Sequence, residues 1–229
     1  MVFSDYQIRV DSIVQDQAHK LSTDDRDAAI AQAIVQRYSK DRPILTVTDV
    51  AGNGGQDLGV PSGWENQFSQ VRELEYPIGQ IPAQTVEDYD WVMYQSPDGW
   101  NIRFLVDVPL ATEKVRVTWT ARHTSDGSTV PAPDFDAVCD FAASLCCERL
   151  AALYAQTGDS SIGADIVNYR TKGQEYLALA KAARKRYFNH LGLSEDASES
   201  SIAAPALAIG NMDNMMGPGV DRLTHRRPR

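Results

Sequence analysis

Residues 134–192 read DFDAVCDFAASLCCERLAALYAQTGDSSIGADIVNYRTKGQEYLALAKAARKRYFNHLG, and this stretch decides the fold. Phe135, Val138, Phe141, Ala142, Leu145, Leu150 and Leu153 recur at helical spacing and give a wide apolar face, which predicts a helix to about Tyr154 packed on more than one neighbour. Gly158 and the run GDSSIGAD (158–165) break the pattern. A fourth helix then runs from about Ile166 to Leu191 and stops at Gly192, the residue type that ends helices without steric penalty. Gly173 inside it costs about 1 kcal/mol relative to alanine.

Beyond the hairpin, residues 193–229 are interrupted by Pro205, Gly210, Gly217, Pro218 and Gly219, which predicts an extended tail rather than a packed element. The tail nevertheless carries Ile202, Leu207, Ile209, Met212, Met215, Met216 and Leu223, then Arg226, Arg227 and Arg229. Apolar side chains of that number are foreign to a solvated linker. These residues are the candidate partner-binding set, contacting either another protein or a neighbouring subunit.

Ahead of the hairpin, Ile8, Val10, Ile13 and Val14 fit a first helix over 4–20 with Ser4 as its cap. A second helix is signed by Ser22 or Thr23 as cap, by Asp24, Asp25 and Asp27 in its first turn, and by the stripe Ala29, Ile30, Ala33, Ile34, Tyr38. It has to end before Pro43. From Pro43 to Pro131 the pattern becomes strand-like, with candidates at 44–50, 71–78, 90–94, 100–106 and 114–123. The clearest hairpin is DWVMYQSPDGWNIRFLV (90–106), turning at Pro97, Asp98 and Gly99. The expected class is α+β: a four-helix bundle with a mostly antiparallel β insertion between helices two and three, and an extended C-terminal tail. The corresponding segments are 1–42, 43–131, 132–192 and 193–229.

With 229 residues, 43% hydrophobic and 23% charged, the chain is an ordinary globular one with no run approaching the ~20 apolar residues of a membrane helix. MVFSDYQIRVDS (1–12) lacks a signal-peptide pattern, which points to synthesis in a cytoplasm. Cys139, Cys146 and Cys147 are odd in number and clustered, so they read as buried reduced thiols; the histidines lie far from them, and no metal or cofactor is expected. A net charge of −9 opposes wrapping of nucleic acid, yet an acidic wall suits a passage through which DNA slides without sticking.

Little else points to chemistry, and no enzyme is expected. AGNGGQDLG (51–59) follows a strand but lacks a lysine, the GxGxxG spacing and a following helix, so it does not cradle phosphate. Asp88 and Asp90, beside Glu87, could pair as acid and base on one strand face, though neither nucleophile nor histidine accompanies them. With the tryptophans and tyrosines they leave a carbohydrate-binding or hydrolytic β module as the rival reading.

DRDAAIAQAIVQRYSKDRP (25–43), LEYPIG (74–79), VRVTWTARHT (115–124) and the hairpin 134–192 together resemble the head-to-tail adaptor (connector, head-completion) proteins of tailed bacteriophages. The resemblance implies a structural virion protein of the neck, made in the host bacterial cytoplasm and assembled as a homo-oligomeric ring, typically a dodecamer. Such a ring joins the portal protein to other neck or tail proteins, and DNA passes through its lumen without sequence-specific binding. It also implies that the C-terminal segment docks on the portal. The wide face of helix three and the basic face of helix four (Lys172, Lys181, Arg184, Lys185, Arg186) are the expected ring contacts. A tail terminator or other neck ring protein is the nearest alternative.

Overall fold

A computed structural model of the chain describes residues 2–156 and 165–193, with side chains described outside 165–171. It is a mixed α and β structure with four helices and two small antiparallel sheets.

Helix α1 spans Phe3–Val14, and its start is closed by Asp5, whose carboxylate accepts the Val2 N–H at 2.9 Å. The cap is therefore Val2, two residues before the expected Ser4. The helix also stops at Val14 instead of continuing to Lys20, because Gln15 adopts a left-handed φ of 49° and donates its N–H back to the Asp11 carbonyl. Tyr6, Val10 and Val14 form the buried stripe, while Ile8 is 69% exposed.

Helix α2, Thr23–Gln32, begins as expected: the Ser22 hydroxyl accepts the Asp25 N–H at 3.1 Å, with Asp24 and Asp25 in the first turn. The whole stripe Ala29, Ile30, Ala33, Ile34, Tyr38 is buried. The helix widens into a π segment over Ala33–Tyr38 and ends in the short turn Ser39–Asp41. Ser39 donates its hydroxyl to the Ile34 carbonyl at 2.9 Å and accepts the His123 N–H at 2.9 Å, so the widened turn ties the helix to the end of a strand.

Strands β1 (Ile44–Ala51), β2 (Asp57–Gly59), β3 (Val71–Glu75), β4 (Trp91–Ser96), β5 (Gly99–Phe104) and β6 (Lys114–Ala121) form two sheets, ordered β1-β6-β3 and β2-β5-β4. The hairpin β4–β5 closes at Ser96 opposite Gly99, leaving Pro97 and Asp98 as its turn, and Gly99 takes a φ of 138°. Leu58, Leu74, Ile102, Phe104, Val115, Val117 and Trp119 pool into one apolar cluster fed by both sheets. The glycine-rich stretch 51–59, outside the strand candidates of the sequence, contains β2. Asn53 folds the preceding turn, accepting the Gly55 N–H and donating to the Asp57 carbonyl, both at 2.8 Å, and Asp57 takes a two-pronged bond from Arg103 at 2.6 and 2.8 Å.

Helix α3, Phe135–Gln156, follows a short 3-10 turn at Ala132–Asp134. Its buried residues, among them Ala137, Val138, Phe141, Ala142, Cys146, Leu150 and Tyr154, lie on nearly every side, and it packs on α1, α2 and α4. An all-round apolar helix belongs in an interior. Helix α4, Asp165–Leu191, ends where expected: Gly192 has a φ of 69° and Leu193 donates its N–H to the Phe188 carbonyl at 3.0 Å. Gly173 sits where α3 and α4 approach, and a Cβ there would make only an ordinary contact, 3.5 Å from the Ala151 carbonyl oxygen. Tyr6, Ile30, Ile34, Val138, Cys146, Leu150, Ala180 and Tyr187, drawn from α1, α2, its π extension, α3 and α4, share a second apolar cluster.

The cysteines sit inside that cluster, and burial pushes the thiols of Cys139 and Cys146 up to about 12 and that of Cys147 up to about 11. The native protein should accordingly leave all three thiols unlabelled by a thiol-specific reagent at mildly alkaline pH, and should yield three in denaturant. Rapid labelling of any one without unfolding would contradict this packing.

Candidate partner-binding surface

Where the helices meet the base of the β1 sheet, three side chains, Tyr38, Arg42 and His190, converge on Asp134. Its carboxylate accepts from the Tyr38 hydroxyl at 2.5 Å, from Arg42 Nη1 at 2.8 and 3.0 Å, and stands 2.8 Å from His190 Nε2. The Asp134 side chain is only 3% exposed, against 51% for Arg42. Burial pushes this carboxyl upward, but the hydrogen bonds from Tyr38, His190 and Arg42 outweigh it and hold the group below the usual carboxylate range. Burial, then the bond to Asp134, pushes the Tyr38 phenol up. Beside this node Tyr187 donates to Asp41 at 2.6 Å, and Arg37 to the same oxygen at 2.8 Å. The His123 ring lies 4.8 Å from that of Tyr38 and bonds the Arg42 carbonyl through Nε2 at 2.9 Å. No local pattern marks these residues in the sequence; the sole signal is an acidic residue after two prolines, Pro131 and Pro133, at a helix start.

This node floors a cleft of about 790 Å³ lined by Pro43, Ile44, Leu45, Arg72, Pro131 and Pro133, among others. Its side runs onto an open sheet surface. Strand β1 alternates strictly, with Ile44, Thr46, Thr48 and Val50 half-buried and Leu45 and Val47 facing outward at 62% and 58% exposure. Thr48 faces inward because it accepts the Trp119 indole N–H at 3.2 Å, and a period of two then turns both apolar neighbours out. Arg72 stands exposed at the bulge of β3 and makes no ion pair among the described residues.

Other sequence candidates fare differently. The wide face of α3, expected as a ring contact, is buried within the subunit against α1, α2 and α4 and is not open to a neighbour. On the basic face of α4, Arg184 bonds Glu148 at 2.5 Å and Arg186 bonds Asp140 at 2.6 Å, leaving Lys172, Lys181 and Lys185 exposed. Asp88 is exposed in the turn before β4; Glu87 and Asp90 line a cleft of about 580 Å³ with Tyr76, Phe104 and Asp107, and no serine, cysteine, histidine or lysine joins them there. Among the described residues no group of three or more His, Cys, Asp or Glu is placed to hold a metal, and no helix is long and apolar enough to cross a membrane. The tail set Ile202, Leu207, Ile209, Met212, Met215, Met216, Leu223, Arg226, Arg227 and Arg229 lies outside the described residues.

A scan of protein-family models and a search of curated proteins each find no match to this chain.

Proposed function

We propose that the protein is a structural adaptor of a phage neck, a ring-forming subunit that joins portal to tail by assembly rather than by turnover. In this reading the four helices act as a bundle from which the strand segment projects, and the chain beyond Leu193 reaches the portal. The observation that carries the proposal is the presence of exposed apolar residues on separate elements: Leu45 and Val47 on β1, Leu177 and Leu179 on α4. A ring of identical subunits needs two different surfaces on each copy, one meeting the other on the next until the rotation closes. The net charge of −9 suits a lumen that lets DNA pass. Exposed carboxylates without a nucleophile or histidine beside them, as at Asp88, favour this over a hydrolytic module.

The test images the full chain by mass photometry and negative stain, with and without a candidate portal protein, next to a chain ending at Leu193. A closed ring on the portal that disappears on truncation is the expected result. A full chain that stays monomeric and ignores the portal would sink the proposal.

A further inference from the structure

The turn before β4 and the chain leaving β5 are tied together, the Leu105 N–H donating to the Asp90 carbonyl at 2.7 Å. The tip they form exposes Tyr89, Leu105 and Val106, at 63%, 47% and 51%. Glu87, Asp88 and Asp107 are exposed among them and make no ion pair among the described residues. Like charges gathered on one surface repel, and a cation brought from outside relieves them.

The β1 face has the opposite character. Arg72 lines the cleft at its foot without a counter-ion, because the carboxylates there are already engaged, Asp41 by Arg37 and Tyr187, Asp134 by Tyr38, Arg42 and His190. Leu45 and Val47 stand exposed beside it. Glu73 is exposed on the same sheet face, opposite Thr118, and lies outside the cleft lining.

These two surfaces belong to opposite ends of one rigid sheet. On β6, Leu45 stands opposite Thr120, whereas Glu75, bridged to Thr85 on the way to the tip, stands opposite Arg116, roughly 13 Å further along the strand. They cannot meet within one chain, but they can meet between two. We propose that the acidic tip of one copy seats on the β1 face of the next, with Glu87 and Asp88 against Arg42 and Arg72, and Tyr89, Leu105 and Val106 covering Leu45 and Val47. The assignment rests on the ring reading and names the contact that would build the ring: each copy keeps its own tip and its own β1 face for different neighbours, so the contact repeats from copy to copy. The exposed face of α4 is not the counterpart of β1. Leu177 and Leu179 share that helix with exposed Lys172, Lys181 and Lys185, of the same sign as Arg42 and Arg72. Arginine and tyrosine are also the side chains that interface centres favour, and lysine is one they exclude.

Thiol cross-linking of the full chain tests it, since the native cysteines are buried and leave introduced ones as the reactive sites. Chains carrying V47C alone or V106C alone are treated with a short bismaleimide, separately and mixed, with and without the candidate portal protein. The mixture should give a cross-linked dimer, each chain alone none, and the double variant V47C/V106C a ladder of multimers. Adding R72E to the V47C chain should lower the dimer yield about tenfold, and adding E87R/D88R to the V106C chain should then restore it. Dimers from V47C alone would overturn the proposal by showing two β1 faces packed on each other. A mixture that gives no dimer with or without the portal protein would overturn it as well. The two readings fail separately: rings imaged on the portal without this cross-link leave the adaptor and remove the pairing, while a ladder from a chain that ignores the portal leaves the pairing and removes the adaptor.

Discussion

Replacing Asp134 by alanine is expected to destabilise the protein by roughly 2–4 kcal/mol. The figure follows from which partners are stranded. Arg42 is half exposed and turns to water at little cost, but Tyr38 is fully buried and its hydroxyl loses its acceptor. A wholly buried ion pair would lose more, about 3–5 kcal/mol. Asp134→Asn keeps the shape and an acceptor for Tyr38 while removing the charge, so its cost should fall between alanine and wild type. The pH dependence separates charge from shape. A carboxyl whose folded value is depressed contributes stability above its unfolded range and loses it as pH falls through the folded value. The gap between wild type and Asp134→Asn in denaturant melts should therefore be widest near neutrality and narrow on acidification below the ordinary carboxylate range. A gap independent of pH would show that the charge contributes nothing.

Gly127→Ala should cost a similar amount, roughly 2–4 kcal/mol, for a different reason. Gly127 holds a φ of 72°, which alone penalises any Cβ by about 1–2 kcal/mol. The new carbon would also fall 2.5 Å from Cε2 of Tyr6. That ring cannot swing away: it is fully buried, edge-on to Phe135 at 4.7 Å, and its hydroxyl donates to the Gly127 carbonyl at 3.1 Å. A double-mutant cycle with Tyr6→Leu isolates the clash, because only the backbone part of the penalty should survive in that background. Full additivity would remove Tyr6 as the cause.

These two sites also show what the sequence can and cannot disclose. Features written in a few consecutive residues were legible: the Ser22 cap, the stripe through Tyr38, the turn at Pro97 and Asp98, and the stop at Gly192. Each is governed by local sterics or by one period. Helix α1 ended early because a left-handed Gln15 has no compositional marker, and β2 was hidden because only pairing with β5 makes Asp57–Gly59 a strand. The outward turn of Leu45 and Val47 depended on a tryptophan across the sheet claiming Thr48. The Asp134 node was illegible for the same reason in stronger form, since Tyr38, Arg42 and His190 are neighbours of Asp134 only in space.

The first and last strands of the sheet carry a consequence for how such a chain can change over generations. Ile44 pairs with Ala121, so the backbone enters and leaves the strand region at adjacent positions, about 5 Å apart. A segment with equally close ends would meet the flanking chain at the same two points, whatever its length. The pair Ile44 and Ala121 thus marks a natural splice point. Recombination or an engineer could graft a foreign strand cassette there, leaving the junction residues Ser39, His123 and Asp134 intact.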